Sequence, residues 1–343
     1  MTLTHKGSAS LHSWIHSKHI FIFNKSNLSY MIFFKNRDLN AVFQIKKHRL
    51  LFVFTILLGC KSVVYQPFML DKNFDWQGHR GARGLLPENI VSGFLLALDL
   101  GVKTLEMDLC VSKDNILVVS HEPYMSAEIC TDAKENLITA ADEQQKFALY
   151  QMPITEIQAC DCGSLKHPRF PLQKKQKAYK PTLIQVVATV RAYCVQKNLP
   201  MPYFNLEIKS KPAWDGLLTP SVADFAKLVL DDVNRMEIND LTIIQSFDPR
   251  ALEAIKKLDK NIKTALLIEN IGEVKENLNK LSFKPDIYSP SFKLVNLSTV
   301  QYCHQRQIRV IPWTVNDTTD MIALIRLGVD GIITDYPNKI LRK

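Results

Sequence analysis

Residues 74–111 read FDWQGHRGARGLLPENIVSGFLLALDLGVKTLEMDLCV, and the order of patterns inside them sets the fold. Asp75 to His79 reads as a short strand. Glu88 to Leu100 reads as a helix, because Val91, Phe94, Leu95 and Leu98 share one face and Gly101 supplies a stop. Lys103 to Val111 is strand-like again, and Asn115 to Ser120 folds back beside it after the turn-like Ser112-Lys113-Asp114.

Past residue 180 the same alternation continues. Helices are predicted at Thr182 to Lys197, with Thr182 as N-cap, and at Val222 to Met236, Pro249 to Leu258, Ile271 to Leu281, Val295 to Gln305 and Thr318 to Leu327. Strands are predicted at Tyr203 to Ile208, Leu241 to Gln245, Lys263 to Ile268, Ile287 to Tyr288, Arg309 to Ile311 and Gly331 to Ile333. With the fold-back at Asn115 taken as an extension of the second strand, eight strands alternate with helices between Phe74 and Lys343. Strict alternation implies a parallel sheet, and eight units over such a length fit an α/β fold of the (β/α)8 TIM-barrel type. An open doubly wound sheet is disfavoured, since His79-Arg80-Gly81-Ala82-Arg83-Gly84 has a histidine where a dinucleotide-binding turn needs its first glycine.

Glu122 to Lys180 breaks the rhythm. It is polar, shows no sustained period, is interrupted by Pro123, Pro153, Pro168 and Pro171, and ends in the basic Lys174, Lys175 and Lys177. A segment this long is functional or a small subdomain, and it is read as an insertion (residues 122–180) after the second strand, over the mouth of the barrel.

At 343 residues, 46% hydrophobic and 22% charged, the chain has a globular makeup. The net charge of +9 does not indicate nucleic-acid binding, because residues 1–60 hold eight Lys/Arg against one Asp. That head carries +7 and leaves about +2 for everything after it. Lys46, Lys47 and Arg49 precede the apolar run Leu50 to Leu58, which ends in Gly59-Cys60. The run is too short to span a bilayer and has the layout of an export leader. Leu57-Leu58-Gly59-Cys60 resembles a bacterial lipobox, which places a lipid anchor at Cys60 and the mature protein in the bacterial cell envelope. The expected layout is therefore a leader at 1–59, a linker at 60–73 and a catalytic barrel at 74–343. Within the leader, residues 1–30 read as an upstream extension and Met31 as the start of the export signal.

Six cysteines follow Cys60. Cys110, Cys194 and Cys303 lie in predicted elements, while Cys130, Cys160 and Cys162 share one loop-like region. In an oxidising compartment Cys130 has two candidate partners, Cys160 and Cys162, and free buried thiols are the alternative.

In such barrels the catalytic groups come from the C-terminal ends of strands. His79 and Arg80 end the first strand, Glu106 and Asp108 the second, Glu207 and Lys209 the third, Gln245 the fourth and Trp313 the seventh. Residues two apart on a strand face the same way, so Glu106 pairs with Asp108 and Glu207 with Lys209. Three carboxylates converging on one mouth repel one another, and a hard divalent cation, Ca2+ or Mg2+, relieves that repulsion. An all-oxygen donor set argues against zinc. His79 and His121 are then free for proton transfer, with Arg80 and Lys209 available for phosphate charge. Trp313 reads either as barrel-top packing or as a wall against substrate.

His79-Arg80-Gly81, Pro87-Glu88-Asn89, Glu106-x-Asp108, His121-Glu122, Asn205-x-Glu207-x-Lys209, Gln245-Ser246-Phe247, Trp313-Thr314-Val315-Asn316 and Gly331-x-x-x-Asp335-Tyr336-Pro337 occur in that order. Together they resemble the motifs of the glycerophosphodiester phosphodiesterase family, from Phe74 to Asn338. The resemblance implies a TIM barrel and, in exported bacterial members, an insertion after the second catalytic histidine. It implies His79 and His121 as the acid/base pair, Glu106, Asp108 and Glu207 as ligands of one divalent cation, and Arg80, Lys209, Gln245, Phe247 and Trp313 as substrate-binding residues. It further implies attack by the substrate's own glycerol hydroxyl, giving a cyclic phosphate that water opens. Many members have Asp where this chain has Glu122, which puts any orienting role of Glu122 in question. The expected activity is release of sn-glycerol 3-phosphate and an alcohol from small glycerophosphodiesters. The alternatives are a related phosphodiesterase acting on lysophospholipid or an envelope polymer, and a non-catalytic envelope binding protein.

Overall fold

The computed structural model describes residues 71–341 and the backbone of two further strands, His19–Lys25 and Leu28–Phe34. Those two strands pair antiparallel within a unit of their own, Met1–Phe68. Apart from them, the expected leader, Cys60 and the linker up to residue 70 lie outside the described residues.

From Asp75 onward eight parallel strands run β1 Asp75–Gly78, β2 Thr104–Val111, β3 Tyr203–Ile208, β4 Thr242–Ser246, β5 Lys263–Ile268, β6 Ile287–Pro290, β7 Arg309–Val310 and β8 Gly331–Thr334. Their spatial order is β7-β6-β5-β4-β3-β2-β1-β8. The ring closes between the two ends of that list, where Asp330 N–H donates to Val310 O (2.9 Å) and Ile333 N–H to Pro312 O (3.0 Å). The expected barrel is therefore present. Leu117–Val119 pairs antiparallel with β2, as the fold-back reading required.

Helices α1 Val91–Asp99, α2 Leu183–Lys197, α3 Val222–Arg235, α4 Pro249–Leu258, α5 Val274–Leu278, α6 Leu297–His304 and α7 Thr318–Leu327 cover the outside. Their apolar stripes meet the outward faces of the strands in one large core that includes Phe94, Phe204, Phe225 and Leu252. Thr182 caps α2 with a full capping box, its hydroxyl accepting from Gln185 N–H (3.1 Å) while the Gln185 side chain accepts from Thr182 N–H (2.9 Å). Helices α1 and α5 are shorter than their patterns predict. α1 begins at Val91 instead of Glu88, because Asn89 turns left-handed (φ 57°) and spends its amide on Asp108. α5 holds only Val274–Leu278 of the stretch predicted from Ile271 to Leu281.

The barrel interior is layered. Ile243, Ala265, Ile287, Ile311 and Ile333 form an apolar floor. Parallel register then sets Glu106 beside Asn205, and Asp108 beside Glu207, which in turn neighbours Gln245. Level with Ile243 and Ile333 lies an amide network: Asn205 Nδ2 donates to Gln77 Oε1 (2.8 Å) and Gln245 Oε1 (2.9 Å). Most polar atoms of this buried layer find partners in one another, while Asn205 Oδ1 has no hydrogen-bond partner.

Residues 122–180 carry two short helices, Glu143–Lys146 and Ile154–Ala159. Met125, Leu149 and Ile157 gather there over Cys110 and Val118 of the β2 hairpin. Cys130 is bonded to Cys162, and Cys160 remains a buried free thiol, which decides between the two pairings that the sequence left open. Among the described residues no helix is long and apolar enough to cross a membrane.

Candidate active site

At the C-terminal mouth of the barrel, a cavity of about 270 Å³ is lined by His79, Arg80, Glu106, His121, Glu207, Gln245, Phe247 and Trp313, among others. Every residue anticipated for the site therefore lies at or beside one opening. Asp108 is fully buried just beneath it, and Lys209 sits on Glu207.

Glu106, Asp108 and Glu207 present oxygens that all lie within 4.8 Å of one another, and all three side chains are buried. Arg80 N–H (2.8 Å) and Gln245 Nε2 (2.8 Å) both donate to Glu106. Asp108 accepts from Asn89 Nδ2 (2.9 Å) and is paired with Arg80 Nε (3.1 Å). Lys209 Nζ is 2.8 Å from Glu207 and 3.8 Å from Asp108. These contacts orient each carboxylate while leaving Asp108 Oδ1 buried without a hydrogen-bond partner.

The electrostatics fit a cation site. Burial first, and then repulsion by Asp108 and Glu207, holds the Glu106 carboxyl well above its ordinary range. Burial likewise pushes Glu207 up to about 7, against the opposing pull of Lys209. Asp108 stays ionised despite its burial, because Arg80 and Lys209 bring positive charge beside it and Asn89 donates to it. Burial works against negative charge on the Glu106 and Glu207 carboxyls, and a hard divalent cation ligated by oxygen offsets it. The residues present fit such an ion.

Both histidines are held by Nδ1. His79 Nδ1 lies 2.6 Å from Asp335 Oδ1, and His121 Nδ1 lies 2.6 Å from Glu122 Oε1. Each carboxylate is kept near pH 2 by its imidazole partner in spite of burial that would raise it. A neutral imidazole whose Nδ1–H is given to a carboxylate presents Nε2 as the proton acceptor. Burial lowers both imidazoles below their ordinary value and favours that neutral form. Glu122 thus reaches the position from which a carboxylate orients His121, and its extra methylene does not prevent the contact.

Gln245 is buried and spends both ends of its amide inside the barrel, on Asn205 and Glu106. Trp313 Nε1 donates to Ser289 O (2.9 Å), and its ring meets Phe247 edge to face at 5.3 Å. Packing and a wall along the cavity are therefore both features of Trp313.

Several residues of the arrangement had no role assigned from sequence. Asp335 follows β8 directly, at the same kind of strand end that singled out His79, and Asn316 Nδ2 donates to its second oxygen (2.7 Å). Glu88 bridges Arg80 Nη1 (2.9 Å) and Arg83 Nε (2.6 Å). Lys180 is buried behind the His121 loop with Nζ donating to Ser120 Oγ (2.8 Å), and burial lowers its pKa. Only Asp335 carried a strand-end signal; Glu88 lies in a turn and Lys180 in an irregular segment, where side-chain direction is not periodic.

Comparison with known proteins agrees with this geometry. The sequence profile of the glycerophosphoryl diester phosphodiesterase family matches residues 79–339. A glycerophosphodiester phosphodiesterase of Caldanaerobacter subterraneus is 28% identical over 263 residues, spanning 77% of this chain and 94% of that protein. Among solved structures, one from Silicibacter pomeroyi that bears the glycerophosphoryl diester phosphodiesterase name superposes with a TM-score of 0.69 at 30% identity. That match covers 78% of this chain and 91% of the other. An Oleispira antarctica phosphodiesterase, solved with the product sn-glycerol-3-phosphate, shares the fold at a TM-score of 0.61 and 23% identity, covering 78% and 94% of the two chains. With the profile spanning most of the barrel, the chain belongs to the glycerophosphoryl diester phosphodiesterase family.

Proposed function

We propose that this chain hydrolyses glycerophosphodiesters to sn-glycerol 3-phosphate and an alcohol, with one divalent cation, Ca2+ or Mg2+, held by Glu106, Asp108 and Glu207. The observation that carries this reading is the meeting, at one mouth, of two carboxylate-held imidazoles and three buried carboxylates within 4.8 Å of one another. When bound, the cation supplies a Lewis acid for the phosphoryl oxygens.

The chain's own groups account for the proton movements. One imidazole Nε2 takes the proton of the attacking hydroxyl, and the other, protonated, gives its proton to the leaving alkoxide oxygen. If the attacking hydroxyl is the substrate's own, the two exchange roles when water opens the cyclic phosphate. Asp335 and Glu122 stabilise each imidazolium as it forms. Arg80 and Lys209 offset the charge of the phosphate, and Phe247 with Trp313 gives the apolar carbons of the substrate a surface to pack on.

Residues 122–180 are proposed to act as an insertion that borders the mouth. The basic run and Gly59-Cys60 support export and lipid anchoring in a bacterial envelope, and release of the full chain from membranes by a Cys60→Ser change is the corresponding test.

The experiment for the activity is hydrolysis of glycerophosphocholine by the purified chain, before and after treatment with a chelator. Turnover that stops with chelation and returns with Ca2+ or Mg2+ is expected. Full activity after complete removal of divalent metal would overturn the cation's part in the mechanism.

A further inference from the structure

The cavity wall contributed by the β1 loop and by residues 122–180 carries two arginines besides Arg80. Arg83 and Arg169 both line it. Glu88 serves two guanidinium groups, at 2.9 Å from Arg80 and 2.6 Å from Arg83, and Arg80 has Asp108 as a second partner at 3.1 Å. Arg169 has no close acid: Glu128 Oε1 is 4.0 Å from its Nε and stands nearer to His167, at 3.4 Å. Arg169 is therefore the guanidinium of this wall with the longest contact to an acid.

The two arginines are held in place. Phe170 is buried, with the Arg83 guanidinium 4.9 Å and that of Arg169 5.9 Å from its ring centroid. Phe170 also meets His167 edge to face at 4.8 Å, and Arg169 N–H donates to His167 Nδ1 (3.2 Å). Two bonds pin this stretch to the β1 loop: Gln173 Nε2 donates to Arg83 O (2.7 Å) and Lys174 N–H to Leu85 O (2.8 Å). Arg169 itself is 62% exposed at its side chain, free to meet a ligand. A rim cation fixed at its base and open at its tip, backed by a buried second arginine, is built to receive an anion that reaches past the scissile phosphate.

We propose that Arg83 and Arg169 form a second anion subsite, which selects glycerophosphodiesters whose alcohol carries a further negative group such as a second phosphate. This rests on the phosphodiesterase reading and adds the substrate class to it. Burial, with smaller contributions from the like charges of Arg80 and Arg169, lowers the pKa of Arg83 against the opposing pull of Glu88 and Asp335.

The test compares kcat/KM for 1,3-bis(sn-glycero-3-phospho)glycerol, whose alcohol bears a second phosphate, with that for glycerophosphocholine, whose alcohol is cationic. Both are read as sn-glycerol 3-phosphate release by the full chain with its cation present, at low salt. The parent is expected to favour the anionic substrate, and Arg169→Glu to lower the anionic-to-cationic ratio by at least about tenfold, mainly through KM. Arg169→Lys, which keeps the charge, is expected to hold the ratio within about threefold, and added salt to shrink the preference. A ratio unmoved by Arg169→Glu, with both substrates still turned over, overturns the subsite and leaves the phosphodiesterase reading intact. No turnover of either substrate by the parent overturns both.

Discussion

His79 and His121 are the same chemical unit built in two ways. Each imidazole sets Nδ1 2.6 Å from a carboxylate, but Glu122 is the next residue after His121, whereas Asp335 is 256 positions from His79. The near pair sits on a loop and is about one-third exposed, at 29% and 33%. The far pair is 12% and 5% exposed and is delivered by the last strand pairing of the barrel, Thr334 beside Gly78, with His79 N–H donating to Thr334 O (2.9 Å). Local construction gives a histidine that can adjust to what enters the mouth. Construction across the closure of the ring gives one whose orientation is fixed by the fold.

The largest effects come from removing either imidazole. His79→Ala and His121→Ala should each reduce kcat by roughly 10³-fold or more, since each carries a proton step that water must then perform. Rates within tenfold of the parent for either variant would remove that histidine from the chemistry. The contrast between the pairs is sharpened by their carboxylates. Asp335→Asn should cost on the order of 10²-fold in kcat, while Glu122→Gln should cost about tenfold or less, because solvent can replace part of an exposed partner and none of a buried one. Equal losses in the two variants would show that burial of the pair does not matter.

Stability responds next. The Glu207 carboxyl, raised to about 7, is protonated in the metal-free fold at acidic pH. Its folded value lies above its unfolded one, so its contribution is complete below the ordinary carboxylate range and is lost as pH rises through about 7. Chelated protein should therefore lose on the order of 2–4 °C of Tm between pH 6 and 8, and Ca2+ or Mg2+ should restore it. A Tm of chelated protein that rises over that interval would contradict the crowding of the three carboxylates. The smallest effect is in the pH profile. Both imidazoles are lowered by burial, so the acidic limb of kcat/KM should fall below pH 6.5. Asp335→Asn removes an influence that raises His79 and should move its limb further down.

The histidine pairs also show how far a strand-end rule carries. It finds His79, Glu106, Asp108, Glu207 and Lys209, because β-strand periodicity fixes which way those side chains face. His121-Glu122 is legible as neighbours in sequence, yet the contact between them depends on the loop. Asn89 looked like the start of a helix, and its left-handed turn is visible only once Asp108 lies within reach of its amide. Gln245 reads as a residue for substrate and lines the cavity, while its bonds to Asn205 and Glu106, which its register beside Glu207 allows, are visible only in the closed barrel.

By itself the sequence determined the alternation of strands and helices, the closed barrel that such alternation implies, and the set of acids, bases and cations at the strand ends. Those follow from periodicity and from the cost of burying a charge without a partner, both of which are local properties of the chain. Tertiary structure alone decided which carboxylate holds which histidine, that Cys130 joins Cys162 while Cys160 stays free, and that Arg83 and Arg169 face one cavity. Each of these depends on distances between segments far apart in sequence, and only closure of the ring and docking of residues 122–180 set such distances.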